Sequence, residues 1–330
     1  MSESEFDIIK NHFVKLNSDG EQPNWLVKGI GDDTAIINPS DEAQLLIAMD
    51  TLNSGVHFPE DTPAAEIGYK ALAVNLSDIA AMGGEPTWFT LSVSLPESNF
   101  DWISNFCAGM SELVEQYDLK LIGGDTTRGP LSVTVQISGE VPMQQALTRA
   151  GAKPDDDIYV TGYPGEAAAG LKLKKQNVVS DQNTDVLIHR LNHPTPRIEI
   201  GIALRNHAHA CIDVSDGLVA DLGHILDESQ IDSGRVLGAE LNKQALPISN
   251  TLQAVISDAD TRTNLVLHGG DDYELCFTAA PSNRDVILSL AKQFNLPITC
   301  IGKIIEQTGV YMVDEDGRHK INETGFEHFK

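Results

Sequence analysis

Apolar positions recur along this chain with two different periods. Phe6, Ile9, Phe13 and Leu16 fall at helical spacing and predict a short amphipathic helix near the N-terminus. Residues 17–24 are polar and predict a loop. Residues 44–49 read as a buried strand ending at Asp50. Thr62 and Pro63 then supply an N-cap and a first-turn proline for a helix reaching about Met82, stopped by Gly83 and Gly84. Residues 87–95 alternate as a strand and 100–117 repeat as a helix. Residues 120–122 form a short apolar strand that runs into Gly123-Gly124-Asp125, and 131–141 read as another strand.

The pattern breaks at residues 148–157, where Gly151, Pro154 and three aspartates intervene, so a boundary is placed there. The chain divides into a domain of residues 1–148 and one of 149–330. The second is predicted to hold strands over 158–161, 210–214, 265–268, 274–278, 298–304 and 310–313. Its helices fall over 167–175, 185–192, 197–207, 218–229 and 283–294. Strands and helices mix without the strict alternation of a doubly wound sheet, so the class is α+β, with mixed α/β halves.

A length of 330 residues fits two domains, and 41% hydrophobic with 22% charged residues describes an ordinary globular chain. No run approaches the ~18 apolar residues of a membrane span. The acidic start carries no apolar signal segment, so the expected location is the cytoplasm, with no membrane partner. Cys107, Cys211, Cys276 and Cys300 are far apart and read as buried, reduced thiols. The formal charge is −25, which argues against nucleic acid, whose phosphates are bound chiefly by Lys and Arg.

What changes the picture is where certain acids fall. Asp32 and Asp33 follow Gly31, Asp50 ends an apolar run, and Asp78 interrupts one. Asp125 follows Gly123-Gly124, Asp213 and Asp216 flank Val214-Ser215, and Asp271 with Asp272 follows Gly269-Gly270. Singly, each reads as well as a turn or helix cap. Asp78 is the most informative, because its helix is apolar nearly all round and an unpaired carboxylate there is costly. Magnesium is the counter-charge that carboxylates suit best. Two carboxylates about 4 Å apart repel by roughly 4 kcal/mol at an effective dielectric near 20, so several together call for cations. Such cations can hold a polyphosphate, which lets an acidic protein bind ATP. Gly123 and Gly124 read either as a phosphate approach or as a tight turn. Gly165 to Lys172 lacks the Gly-Lys-Ser/Thr ending of a P-loop and reads as a turn into a helix. His207 and His209 read as solvent-facing, and His57 as either a surface-loop residue or a site residue.

Six segments resemble the thiamine-monophosphate kinase family. They are Gly29-Ile30-Gly31-Asp32-Asp33, residues 69–83 around Asn75-Leu76-Ser77-Asp78, and Leu121-Ile122-Gly123-Gly124-Asp125-Thr126-Thr127-Arg128-Gly129. With them go Leu147-Thr148-Arg149-Ala150-Gly151-Ala152-Lys153-Pro154, Ile212-Asp213-Val214-Ser215-Asp216-Gly217-Leu218, and residues 269–277 around Asp271-Asp272-Tyr273. The likeness spans the chain in order; the first and fifth alone would indicate only the aminoimidazole ribonucleotide synthetase-like superfamily. The resemblance implies that two-domain fold, an N-terminal ATP- and magnesium-binding half dimerising through its sheet, and a C-terminal half closing over the nucleotide. It implies a homodimer that phosphorylates thiamine monophosphate with ATP and several Mg²⁺ ions, and leaves room for a K⁺ ion. By motif, Asp33, Asp50, Asp78, Asp125, Asp213 and Asp216 would hold metal. Gly124, Asp125, Arg149 and Ser215 would meet ATP. His57, Asp271 and Phe326 would lie near thiamine monophosphate, with Phe326 stacking on it or serving as a packing plug.

Three positions depart from the family pattern. Ala48 and Met49 stand where Ser or Thr often precedes Asp50, and Asp271 stands where Glu is common. The acceptor phosphate has a second pKa near ~6 and is largely ionised at neutral pH, so no general base is required. Other readings are a different ATP-using member of the superfamily or a non-catalytic nucleotide or metal sensor. Selenophosphate synthetases use an N-terminal Cys or selenocysteine, whereas the first cysteine here is Cys107.

Overall fold

Proline cannot continue a helix backwards and glycine readily ends one, and α2 (Ala64–Ala81) occupies the interval between Pro63 and Gly83. Gly83 takes the left-handed φ of +66° and Gly84 N–H closes the helix onto Ile79 O at 2.8 Å. A computed structural model of the chain describes residues 4–17, 22–31, 34–176, 178–179, 181–321 and 325. It divides into two units, Met1–Ile79 with Gly84–Gln144, and Ala80–Gly83 with Gln145–Lys330.

The first unit opens with α1 (Glu5–Ile8), a π-turn (Ile9–Phe13) and a 3₁₀ turn (Val14–Leu16), which bury Ile8, Phe13 and Leu16. Two short strands, β1 (Leu26–Lys28) and β2 (Ile36–Ile37), pair with each other. The main sheet has the order β3-β6-β4-β5. Its strands are β3 (Ala43–Asn53), β4 (Glu85–Leu95), β5 (Lys120–Arg128) and β6 (Ser132–Pro142). α3 (Phe100–Gln116) begins at the Asn99 cap, whose side chain accepts from Trp102 N–H. It lies so close to α2 that a methyl on Gly109 would stand 1.8 Å from Ala65 O.

The second unit carries β7 (Asp157–Thr161), α4 (Glu166–Lys175), α5 (Gln182–Asn192), α6 (Ile198–Leu204), β8 (Ala210–Val214) and α7 (Leu218–Ser233). β9 (Gly238–Asn242), α8 (Asn250–Val255), α9 (Ala259–His268), β10 (Glu274–Ala279), α10 (Arg284–Gln293), β11 (Ile298–Ile305), β12 (Gly309–Asp314) and β13 (Gly317–Ile321) follow. The sheet order is β13-β12-β9-β11-β7-β10-β8, and within it only β9 and β12 pair in parallel. One core holds Ile158 and Val160 of β7, Ile212 and Val214 of β8, Leu222, Ile225 and Leu226 of α7, and Val266 of α9. That mixed order agrees with the α+β expectation.

Three expectations need correction. Residues 265–268 are the last turn of α9 and not a strand: Asp258 caps that helix by accepting from Thr261 N–H (2.8 Å) and Oγ1 (2.6 Å). A four-residue apolar run cannot by itself distinguish a strand from a helix end. β3 is not buried along 44–49, because Leu45, Ile47 and Met49 face outward, Met49 being 65% exposed. Cys300 is exposed, while Cys107, Cys211 and Cys276 are buried as expected. No helix among the described residues is long and apolar enough to cross a membrane.

Candidate active site

In the first unit the side chains of interest meet where β3 passes α2. Asn75 is fully buried; its Oδ1 accepts from Asp50 N–H at 3.0 Å and its Nδ2 donates to Ala71 O at 2.9 Å. Asp78 lies three positions further along α2, on the same side of the helix as Asn75. It is half-buried where residues 71–77 are all buried, so the apolar helix opens at the carboxylate. The pairing rows explain which way Asp50 points. Asp50 pairs with Val135, Val135 with Leu91 and Leu91 with Gly124, and Val135 and Leu91 are buried. Asp50 therefore faces the helices. Past β3, His57 Nδ1 accepts from Asn53 N–H at 2.9 Å, which leaves Nε2 as the protonated nitrogen of the neutral ring. Buried Lys70 donates to His57 O at 3.3 Å.

Gly123 and Gly124 do not form a turn. β5 continues through them to Arg128, with a bulge at Ile122 where Phe89 pairs Leu121 and Thr90 pairs Gly123. Gly124 holds φ +151°, and a Cβ there would sit 1.9 Å from Leu91 O. These glycines serve the close approach of two backbones. Asp125 pairs with Ser92, Ser92 with Thr134 and Thr134 with Thr51, on the open face of the sheet. Asp125 and Asp50 thus stand on opposite faces, three strand spacings apart, roughly 14 Å at about 4.8 Å each. Of the first-unit carboxylates, Asp50 and Asp78 share a neighbourhood and Asp125 does not. Asp33 lies outside the described residues.

In the second unit two loops converge beside β8. Asp213 is buried near the end of β8, and Ser215, Asp216 and Gly217 turn the chain into α7. One oxygen of buried Asp221 accepts from the N–H groups of all three, at 3.1, 3.1 and 3.0 Å. Burial and then the Asp213 carboxylate push Asp221 up to about 7, against the amide of Gly217 that holds it down. The second loop is held across from this one: Asp271 N–H donates to Ser215 O and Tyr273 N–H to Val214 O, both at 2.8 Å. Asp271 and Tyr273 both take left-handed φ, +69° and +52°, and the Tyr273 hydroxyl donates to Asp271 Oδ1 at 3.3 Å. Asp271 is thereby fixed beside Ser215. Asp272 points elsewhere and accepts from Gly165 N–H (2.7 Å) and Ala167 N–H (3.2 Å), capping α4. That carboxylate closes the glycine turn that superficially resembles a P-loop.

Arg149 is exposed on a segment held from the same helix α7: Ser229 Oγ accepts from Gly151 and Ala152 N–H at 3.1 and 3.0 Å. His209, expected at the surface, is half-buried with Nδ1 2.8 Å from Asp156 Oδ2 and Nε2 3.3 Å from Lys153 Nζ. Gly325 packs against Asp216, since a Cβ there would be 2.8 Å from its carbonyl; Phe326 lies outside the described residues. Away from these loops, a groove of about 540 Å³ runs past Asp157, Glu240 and Cys300. Its acids are engaged, Glu240 with Lys303 and Arg318, and Asp157 with Arg284.

Residues 31–141 match the family described as AIR synthase related protein, N-terminal domain, and 153–315 its C-terminal domain. The thiamine-monophosphate kinase of Escherichia coli (strain K12) is 42% identical over 332 residues, covering 100% of this chain and 99% of that one. The chain belongs to the thiamine-monophosphate kinase family. The family's crystal structure from Stenotrophomonas maltophilia K279a is 46% identical with a TM-score of 0.85, covering 94% of this chain and 97% of that one. The AaThiL structure complexed with AMPPCP and TMP is 32% identical with a TM-score of 0.77, covering 92% of each chain. Hydrogenase maturation protein HypE, at 16% identity and a TM-score of 0.77, shares the fold.

Set within that family, the residues that sequence reasoning missed are those that hold backbone: Asn75, Asp221 and Ser229. Asn75 and Asp221 carried a legible signal, a polar residue inside an apolar helical run. Asp221 stands in the first turn of α7, where an acid meets the free amides and the positive end of the helix. Ser229, in an ordinary helical stretch, carried none. Among the described residues no group of three or more His, Cys, Asp or Glu side chains is near enough together to hold an ion. The carboxylate oxygens of Asp50 and Asp78 in the first unit, and those of Asp213 and Asp216 in the second, are each of the kind magnesium takes.

Proposed function

We propose that this chain transfers the γ-phosphoryl group of ATP directly to a phosphate oxygen of thiamine monophosphate, giving thiamine diphosphate and ADP. The observation that carries this reading is the loop pair of the second unit, where Asp271 N–H donates to Ser215 O and so lies against the loop that follows Asp213. It sets a candidate nucleotide contact beside a candidate acceptor contact, as transfer between two phosphates requires.

Arg149, Ser215, Gly124 and Asp125 would contact ATP. His57, presenting its Nε2–H, would join Asp271 and Phe326 around thiamine monophosphate. Asp33, Asp50, Asp78, Asp125, Asp213 and Asp216 would hold several magnesium ions, with Asp125, on the opposite face of its sheet, not sharing an ion with Asp50. Bound there, Mg²⁺ supplies positive charge against the repulsion between the two phosphate groups. Asn75 holds the backbone at Asp50, and Asp221 the backbone from Ser215 to Gly217, so these carboxylates are presented by rigid elements. The acceptor monoester loses its second proton near pH ~6, so the chain need not remove one at neutral pH. The open face of the first sheet, with Leu45, Ile47 and Met49 exposed, supports a homodimer formed through that sheet. A biosynthetic kinase with no membrane-crossing helix among the described residues belongs in the cytoplasm.

The test is an acceptor panel with Mg-ATP: thiamine monophosphate, thiamine, formylglycinamidine ribonucleotide, and selenide. Thiamine diphosphate from the first acceptor alone supports the reading. Product from another acceptor, or tight Mg-ATP binding with no product, overturns it.

A further inference from the structure

Helix α7 holds two separate loops, each through one buried polar side chain. At its N-terminal end a single oxygen of Asp221 accepts from the amides of Ser215, Asp216 and Gly217. Two turns on, the hydroxyl of Ser229, 1% exposed, accepts from Gly151 and Ala152 N–H and points its proton at Arg149 O, 3.4 Å away. That arrangement uses both lone pairs and the single proton of a hydroxyl. Neither held loop has an ordinary path: Gly217 takes φ +133° and Gly151 φ +120°, and a Cβ on Gly151 would stand 2.4 Å from His209 O. Without these acceptors, five amides of two glycine-containing turns would lose the partner that fixes their direction.

Eight residues of α-helix span about 12 Å along the axis. Between the two anchors the helix packs Leu222, Ile225 and Leu226 into the core of its unit, so the spacing is stiff. We infer that α7 is the spacer that sets the separation of the Ser215 and Arg149 segments, with Asp221 and Ser229 as positioning residues for the nucleotide. The inference rests on the proposed ATP contacts of Ser215 and Arg149. Neither Asp221 nor Ser229 needs to touch ATP: each acts by fixing the backbone of a residue that does.

The experiment measures binding of Mg-AMPPCP by calorimetry, with the melting temperature of each full-length variant. Ser229→Ala and Asp221→Ala are expected to weaken binding about tenfold each, the effect of losing roughly one well-placed hydrogen bond. Asp221→Asn keeps an accepting oxygen and is expected to stay within about threefold of the parent. Leu252→Ala shortens a core side chain of the same unit that lies on α8, outside α7, and is expected to lower the melting temperature while leaving affinity unchanged. Parental affinity in Ser229→Ala would overturn the inference, as would an equal loss in Leu252→Ala. If Asp221→Ala does not fold, Ser229→Ala against Leu252→Ala decides. The readout needs no acceptor, so a parent that binds AMPPCP but makes no thiamine diphosphate sinks the substrate assignment alone. A parent that does not bind AMPPCP sinks both.

Discussion

Asp78 and Asp213 are the two carboxylates whose surroundings most constrain their role. Asp78 interrupts a helix that is otherwise buried from residue 71 to 77, and Asp213 is buried near the end of β8. Changing either to Asn keeps the shape and removes the charge. Turnover is expected to fall at least about 100-fold while the circular dichroism spectrum stays that of the parent, because electrostatic terms dominate phosphoryl transfer. Activity within a few fold of the parent in either variant would remove that residue from the site. The cysteines give an independent check on burial. Only exposed Cys300 should react with an alkylating reagent in the native state, against four thiols in denaturant. Although the residue is exposed, its pKa is raised by partial desolvation of the thiol and then by Asp157, and Cys107 is pushed up to about 12 by burial. The thiolate is the reactive form, so labelling of Cys300 should be slow at pH 7 and still climbing past pH ~9. Mass spectrometry over a pH series measures both the site and the slope. At this scale the sequence made legible that Asp78 breaks a buried apolar run and that Asp272 caps a helix, whereas Asp221, an acid in another apolar run, was passed over. Nothing was legible for Ser229, whose partners lie 77 and 78 residues away.

Element boundaries followed from local chemistry where caps and glycines were present, as for α2 and α3. They failed where tertiary pairing overrode a turn signal. Gly123-Gly124 reads locally as the end of a strand, yet β5 runs on because β4 accepts it in register to Arg128. The requirement for glycine comes from Leu91 O, which no local pattern reveals. Gly124→Ala would place a methyl 1.9 Å from that oxygen and is expected to destabilise the first unit by about 3 kcal/mol or more, read as a lowered denaturant midpoint. A midpoint within experimental error of the parent would contradict the assigned pairing of β4 with β5. The face on which Asp125 stands was equally hidden, because it depends on pairing rows across four strands.

For the molecule as a whole, two mixed halves were legible from composition shifts and the absence of strict alternation. The strand orders were not, since pairings such as β9 with β12 join segments about 70 residues apart in sequence. The charge of −25 leaves the open face of β3 conspicuous, with Ile47 62% and Met49 65% exposed. Light scattering is expected to give twice 35.7 kDa for the parent, and a monomer for Ile47→Glu, which buries a charge in the proposed interface. A monomeric parent at micromolar concentration would contradict the dimer. Transfer itself is tested most directly with ATP labelled in its γ-phosphate and unlabelled thiamine monophosphate. Label is predicted in the terminal phosphate of thiamine diphosphate, one for each ADP formed. Label released as inorganic phosphate, or retained in ATP while nucleotide binds, would contradict it.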